Sequence, residues 1–145
     1  MNKSVWYERN FFVKDFIPNN ISLIDFGCGQ KEILDFVTPS EYLGIDIHED
    51  ADIQHDLNKP LLLDKKYDLG LWLGVLEYLD DPKGSLINQV NCAQRFLILT
   101  LNVEKKTHHG WKHAFTYKSI DRLLTTIFIS VEHHFYNKYT LSICR

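Results

Sequence analysis

The stretch Leu23-Ile24-Asp25-Phe26-Gly27-Cys28-Gly29-Gln30 constrains the fold of this chain more than any other. Ile21 to Phe26 is a short apolar run suited to a buried strand, and it ends directly in Gly-x-Gly. Glycines at that point let the backbone turn tightly and approach a ligand with no Cβ in the way. Lys31 to Val37, closed by Thr38-Pro39, is expected to be a short helix that aims free amide groups at the same spot. Seventeen residues after Gly29, Asp46 stands near the end of a second apolar run, Tyr42 to Ile47. A carboxylate so placed can accept hydrogen bonds from the hydroxyls of a ribose.

The rest of the chain alternates in the same way. Trp6 to Ile17 puts Phe12, Val13, Phe16 and Ile17 at helical spacing, and Pro18-Asn19-Asn20 stops the run. An N-terminal helix within residues 1–18 is therefore expected, covering a pocket or a sheet edge. Ala51 to Gln54 is a weaker strand. Tyr67 to Leu73 is a clear one, with Leu69, Leu71 and Leu73 on one side and Trp72, a core residue, on the other. Asp81 can cap a helix that Pro82 opens and that runs to about Cys92. A strand from Arg95 to Leu101 follows, then a helix capped by Thr116 and running to about Thr125. Ile127 to Phe135 and Tyr139 to Cys144 read as a hairpin around Asn137-Lys138. Strands alternating with helices, then a hairpin, predict an α/β fold with a mainly parallel sheet covered on both faces. Ligands of such sheets bind beyond the carboxyl ends of the strands, which directs attention to the loops after Phe26, Ile47, Leu73 and Leu101.

Composition narrows the function. At 145 residues and 45% hydrophobic, the chain is expected to form one domain over 1–145. A net charge of −3 without a basic stripe argues against a dedicated nucleic-acid binder. No apolar run approaches the roughly 20 residues that span a bilayer, and Lys3, Glu8, Arg9, Lys14 and Asp15 interrupt the start. Cys28, Cys92 and Cys144 form no CxxC pair, so reduced thiols, a cytoplasmic location and no cysteine-based metal site are expected. His109 and His113 have the spacing of metal ligands on a helix, but Gly110 and Trp111 make that segment a loop, and no metal is expected there. Glu77 reads as a surface partner or a local cap.

The residues after the glycines select the nucleoside. A dinucleotide-binding loop needs a third glycine where this chain has Glu32, whose carboxylate would repel a pyrophosphate. That disfavours a nicotinamide-dependent dehydrogenase. A nucleoside without phosphates, such as S-adenosylmethionine with its cationic ammonium and sulfonium, suits Asp25 and its surroundings better.

Leu23 to Gln30 resembles the first motif of the class I S-adenosylmethionine-dependent methyltransferases, and the resemblance continues in order. Tyr42 to Ile47 is similar to the second motif, and Gln54-His55-Asp56-Leu57 to the segment that reaches the adenine. Tyr67 to Pro82 resembles the stretch from the fourth strand into the next helix, and His113 to Leu124 a late segment of the small-molecule members. The resemblance implies a Rossmann-like, seven-stranded, mostly parallel sheet with an antiparallel C-terminal hairpin.

It also implies roles for particular residues. Gly27, Cys28 and Gly29 would lie against the methionine portion and ribose, with Asp25 behind them holding the ammonium. Asp46 would take the ribose hydroxyls and Ile47 would pack on the adenine. Asp56 would accept from the adenine amino group, Leu57 would line the ring, and Leu73 and Gly74 would lie under the methionine chain. Three departures stand out: Lys31 where many members have glycine, Tyr78 where a histidine is frequent, and a short chain with little to form a lid. Candidates for a general base are His108, His109, His113 and Tyr78. Leu73-Gly74-Val75-Leu76 occupies the slot where base-methylating members carry an Asn-Pro-Pro-Tyr-type motif. The expected function is methyl transfer from S-adenosylmethionine to a small-molecule acceptor, with no membrane partner; the alternative is a non-catalytic relative that binds or regulates. No oligomeric state is implied.

Overall fold

A computed structural model describes residues 6–145; the first five residues of the expected N-terminal helix segment lie outside the described residues. The strands are β1 (Ser22–Phe26), β2 (Glu41–Asp46), β3 (Ile53–Gln54), β4 (Tyr67–Leu73), β5 (Ala93–Leu101), β6 (Val131–Tyr136) and β7 (Tyr139–Cys144). The helices are α1 (Tyr7–Val13), α2 (Pro82–Gln89) and α3 (Tyr117–Thr125). The strands form one seven-stranded sheet in the order β3-β2-β1-β4-β5-β7-β6. Pairings from β3 across to β5 are parallel, while β7 runs antiparallel to both β5 and β6. This is the Rossmann-like architecture expected from the sequence.

The period-two alternation of the strands sorts two cores onto the two faces. Ile24, Phe26, Trp72, Phe96 and Ile98 point to one face, where Leu86 of α2 and Ile120 and Leu124 of α3 cover them. Phe26 and Trp72 stack there with ring centroids 4.5 Å apart. Leu23, Leu69, Leu71, Leu97 and Leu99 point to the other face, beneath Val13 of α1 together with Ile17, Ile33 and Val37. Asp81 caps α2 by accepting from Gly84 N–H at 3.0 Å, and Thr116 and Ser119 form a reciprocal capping box at the start of α3.

Two elements differ from expectation. The segment after the glycine loop is a single 3-10 turn, Glu32–Asp35, not a helix over 31–37. Lys31 takes a left-handed conformation (φ 60°), so the turn starts late, and it has already closed at Phe36, before Thr38-Pro39. The hairpin begins at Val131, because the N–H groups of Ile127 and Phe128 fold back to Leu124 O and buried Phe128 closes the end of α3.

Candidate functional site

The strand order reverses direction between β1 and β4, and the loops leaving these two strands meet. Gly27 has φ 76°, and a Cβ on it would stand 2.4 Å from Val75 Cγ2 in the loop after β4. Only glycine satisfies both the left-handed backbone and that approach. Gly29 also has positive φ (53°), but a Cβ there would meet nothing within 4 Å. It faces a cavity of about 1220 Å³ whose walls come from these loops, the end of β2, the 54–58 segment and α1. All ten residues assigned to cofactor binding by the resemblance line this cavity: Asp25, Gly27, Cys28, Gly29, Asp46, Ile47, Asp56, Leu57, Leu73 and Gly74.

The glycine loop satisfies its own amides. Gly27 and Cys28 N–H both donate to Ile45 O, at 2.7 and 3.0 Å, and Gly29 N–H donates to Asp46 Oδ2 at 2.9 Å. The helix expected to aim free amides at this point is replaced by the 3-10 turn Glu32–Asp35. These three N–H groups are spent inside the protein, and no helix dipole follows them. Such a loop offers shape and acceptors, not an anion cradle. Asp46 is held on both oxygens, since Oδ1 also accepts from His48 N–H at 3.3 Å, yet it remains partly open to the cavity. Lys31 turns away: its Nζ bonds Asp52 Oδ1 at 2.8 Å, and it is not among the lining residues.

Further along the wall, Ile47 is 60% exposed, an apolar platform with little protein above it. Asp56 Oδ1 accepts from Asn58 N–H at 2.9 Å, a turn that holds its carboxyl below the ordinary range, while Leu57 is buried beneath. At the inner end, Asp25 is 4% exposed and accepts from Tyr42 Oη at 2.7 Å. Burial raises the Asp25 carboxyl to about 6, against the opposing Tyr42 hydrogen bond and the nearby Arg9 charge. Burial, with Asp25 and Asp46 close by, pushes the Cys28 thiol up to about 12, so it stays protonated and is no nucleophile.

The four candidate bases separate. Tyr78 lines the cavity. His108, His109 and His113 do not line it, and His108 and His109 are exposed. The reason is how the segment after β5 folds back: Lys112 and His113 N–H donate to Glu77 O at 2.7 and 3.0 Å, and His113 Nε2 lies 3.2 Å from Asp80 O. Glu77 is itself a correction, being fully buried rather than a surface partner. Its Oε2 accepts from Leu101 N–H at 3.3 Å, Oε1 has no hydrogen-bond partner among the described residues, and burial raises its carboxyl to about 7.

The N-terminal segment expected over a pocket or sheet edge brings Trp6 to the cavity, and with it Arg9 and Asn10, which sequence reasoning did not single out. The available signal was Asn10, a polar residue three before Val13 and seven before Ile17 on the buried stripe of the helix. Among the described residues no cluster of three or more metal-ligating side chains occurs, and no helix is long and apolar enough to cross a membrane.

No protein-family model and no curated protein matches the chain. Many solved structures do. The small RNA methyltransferase HEN1 superposes with a TM-score of 0.77 at 16% identity, over 100% of this chain, which spans only 26% of that one. The 1,6-didemethyltoxoflavin-N1-methyltransferase of Burkholderia thailandensis, solved with its namesake compound and S-adenosylhomocysteine, gives 0.72 at 13% identity over 99% of this chain and 79% of its own. An S-adenosylmethionine-dependent methyltransferase of Mesorhizobium loti gives 0.71 at 15% identity over 98% of both chains. The chain thus has the seven-stranded fold shared by the class I S-adenosylmethionine-dependent methyltransferases.

Proposed function

We propose that the protein binds S-adenosylmethionine in the cavity at the β1/β4 switch point and transfers its methyl group to a small-molecule acceptor. The observation that carries this reading is the join of Gly29 and Asp46: an open glycine surface beside a carboxylate that a backbone N–H already orients. The residues fit the group. The open space over Gly29 admits a ribose edge, Asp46 keeps lone pairs for its hydroxyls, and Ile47 offers a flat apolar face for a base. Asp25, buried at the cavity wall, would hold the ammonium.

When bound, S-adenosylmethionine supplies an activated methyl group and its own leaving group. The chain's residues position, orient and exclude water. Leu73, Gly74, Val75, Tyr78 and Trp6 line the cavity and would supply that enclosure. Tyr78 is the candidate base that reaches the cavity, which suits acceptors needing little help with deprotonation.

The cavity's charge speaks to the acceptor. Asp25, Glu32, Asp46, Glu49, Asp50 and Asp56 line it, against the single Arg9 among described Lys and Arg residues. Such a surface repels a phosphate backbone, so a small molecule is favoured over the RNA named for HEN1. The acidic lining likewise disfavours a dinucleotide. A second reading, binding without transfer, is supported by the three histidines lying off the cavity; its signature is cofactor affinity without turnover.

Calorimetry with S-adenosylhomocysteine tests the reading. Micromolar binding is expected to wild type, and Asp46→Ala is expected to weaken it by about 1.5–3 kcal/mol, roughly 10- to 150-fold, through loss of charge-assisted hydrogen bonds. Equal affinity of the two proteins, or binding of a reduced nicotinamide dinucleotide in its place, would sink it.

A further inference from the structure

The segment from His55 to Lys59 lies outside the sheet and the helices, yet it carries Asp56, Leu57 and Asn58 to the cavity wall. Lys59 N–H donates back to Asp56 O at 3.0 Å, which closes the chain into a turn. Within that turn Asn58 meets Asp56 twice. Its backbone N–H donates to Asp56 Oδ1 at 2.9 Å, and its side-chain amide also bonds the carboxyl. The amide oxygen is taken elsewhere, because Asn58 Oδ1 accepts from Asp80 N–H at 2.8 Å. An amide whose oxygen is so committed offers Asp56 its NH2.

Both ends of this clasp are braced. Asp80 lies in the loop after β4, where its carboxylate pairs with Lys112 and its carbonyl oxygen stands 3.2 Å from His113 Nε2. Behind the turn, Gln89 of α2 is fully buried and its Nε2 donates to Lys59 O at 3.3 Å. An aspartate carboxylate left to itself turns in a broad χ2 well. Charge-assisted bonds from Asn58 fix its plane and leave lone pairs for a donor on a ligand. A purine amino group satisfies such a carboxylate, whereas an oxo group in its place sets acceptor against acceptor.

We infer that Asn58 is a positioning residue that aims the Asp56 carboxylate at the amino group of the bound purine, and so sets selectivity for an amino over an oxo purine. The inference rests on the proposed cofactor reading, in which Asp56 meets the adenine. Asn58 acts through Asp56 and not on the transferred methyl group, so its signature is base selectivity in binding.

Calorimetry with S-adenosylhomocysteine and S-inosylhomocysteine reads this selectivity, since the second ligand carries an oxo group in place of the purine amino group. Wild type is expected to favour the adenosine ligand about 10-fold or more. Asn58→Ala should weaken S-adenosylhomocysteine about 5- to 10-fold and leave S-inosylhomocysteine within about twofold. Asn58→Asp, which keeps an acceptor for Asp80 N–H but replaces the donor to Asp56 with a like charge, should do the same. Retained S-inosylhomocysteine binding shows that both variants fold. In an Asp56→Ala background, Asn58→Ala should no longer change the preference. Equal weakening of both ligands marks Asn58 as merely structural and overturns the inference. So does an unchanged preference in both variants, or a preference that Asn58→Ala still lowers without Asp56. Wild type that binds the two ligands equally overturns the inference while leaving the cofactor reading intact; wild type that binds neither sinks that reading and the inference with it.

Discussion

Gly27→Val should lower the thermal unfolding midpoint by about 10 °C, the larger of two glycine effects. A left-handed backbone costs a side chain roughly 1–2 kcal/mol and overpacking a further 1–3 kcal/mol, so about 2–5 kcal/mol in all. Both apply at Gly27, where φ is 76° and Val75 Cγ2 lies 2.4 Å from a Cβ position. Backbone on either side cannot yield easily, since Gly27 and Cys28 N–H are tied to Ile45 O. Gly29→Ala provides the contrast. Its φ of 53° costs the first contribution only, and nothing lies within 4 Å of its Cβ. It should shift the midpoint by a few degrees at most and instead reduce S-adenosylhomocysteine affinity, because the new methyl group stands in the open cavity. Equal midpoint losses for the two variants would contradict the close approach of the β1 and β4 loops.

Glu77→Gln should change the pH dependence of stability more than any other carboxyl replacement in the molecule. Burial raises the folded-state carboxyl of Glu77 from 4.5 to about 7. The native state therefore keeps a proton that the unfolded chain releases, and stability falls with rising pH across that window. The contribution is fully present below pH 4.5 and is lost as pH rises through about 7. A shift of this size corresponds to at most about 3 kcal/mol for a fully buried group. Asp25 adds a parallel decline between its ordinary value of 3.8 and about 6. Asp52, Asp56 and Asp68, held low by hydrogen bonds, act oppositely and only below 3.8. Glutamine mimics the neutral carboxyl, so Glu77→Gln should match wild type near pH 4.5 and exceed it at pH 8 in thermal or urea unfolding. Parallel curves for the two proteins would show that Glu77 is ionised in the fold without penalty.

The sheet was legible because buried parallel strands leave a plain trace. Ile21 to Phe26, Tyr42 to Ile47, Tyr67 to Leu73 and Arg95 to Leu101 are apolar runs stopped by turn residues, and each became a strand within a residue or two. The cofactor-binding candidates were legible for a related reason: they cluster at the ends of those strands, and the topology brings them to one cavity. What escaped depends on contacts between distant segments. Glu77 sits between Leu76 and Tyr78 in sequence with no sign of burial, which comes from Leu101 and the 102–115 segment folding over it. The histidines of that segment were candidates for a general base because they follow β5, but the same backbone bonds to Glu77 O carry them off the cavity. Ile127 and Phe128 looked like strand residues because an apolar pair after a helix has no period of its own. Arg9 and Asn10 lay on a helix read for its apolar stripe, and their place at the cavity emerges only where α1 meets the end of β4.

Backbone amide shifts in an NMR titration with S-adenosylhomocysteine test most directly whether this cavity is a cofactor site. The expected result is saturable perturbation at Gly27 to Gly29, Asp46 and Ile47, Asp56 and Leu57, and Leu73 and Gly74, with Asp68 and Arg95 at the opposite end of the sheet unmoved. Saturable shifts confined to residues outside the cavity, or none at millimolar ligand, would contradict the account and leave the fold as a scaffold for some other partner.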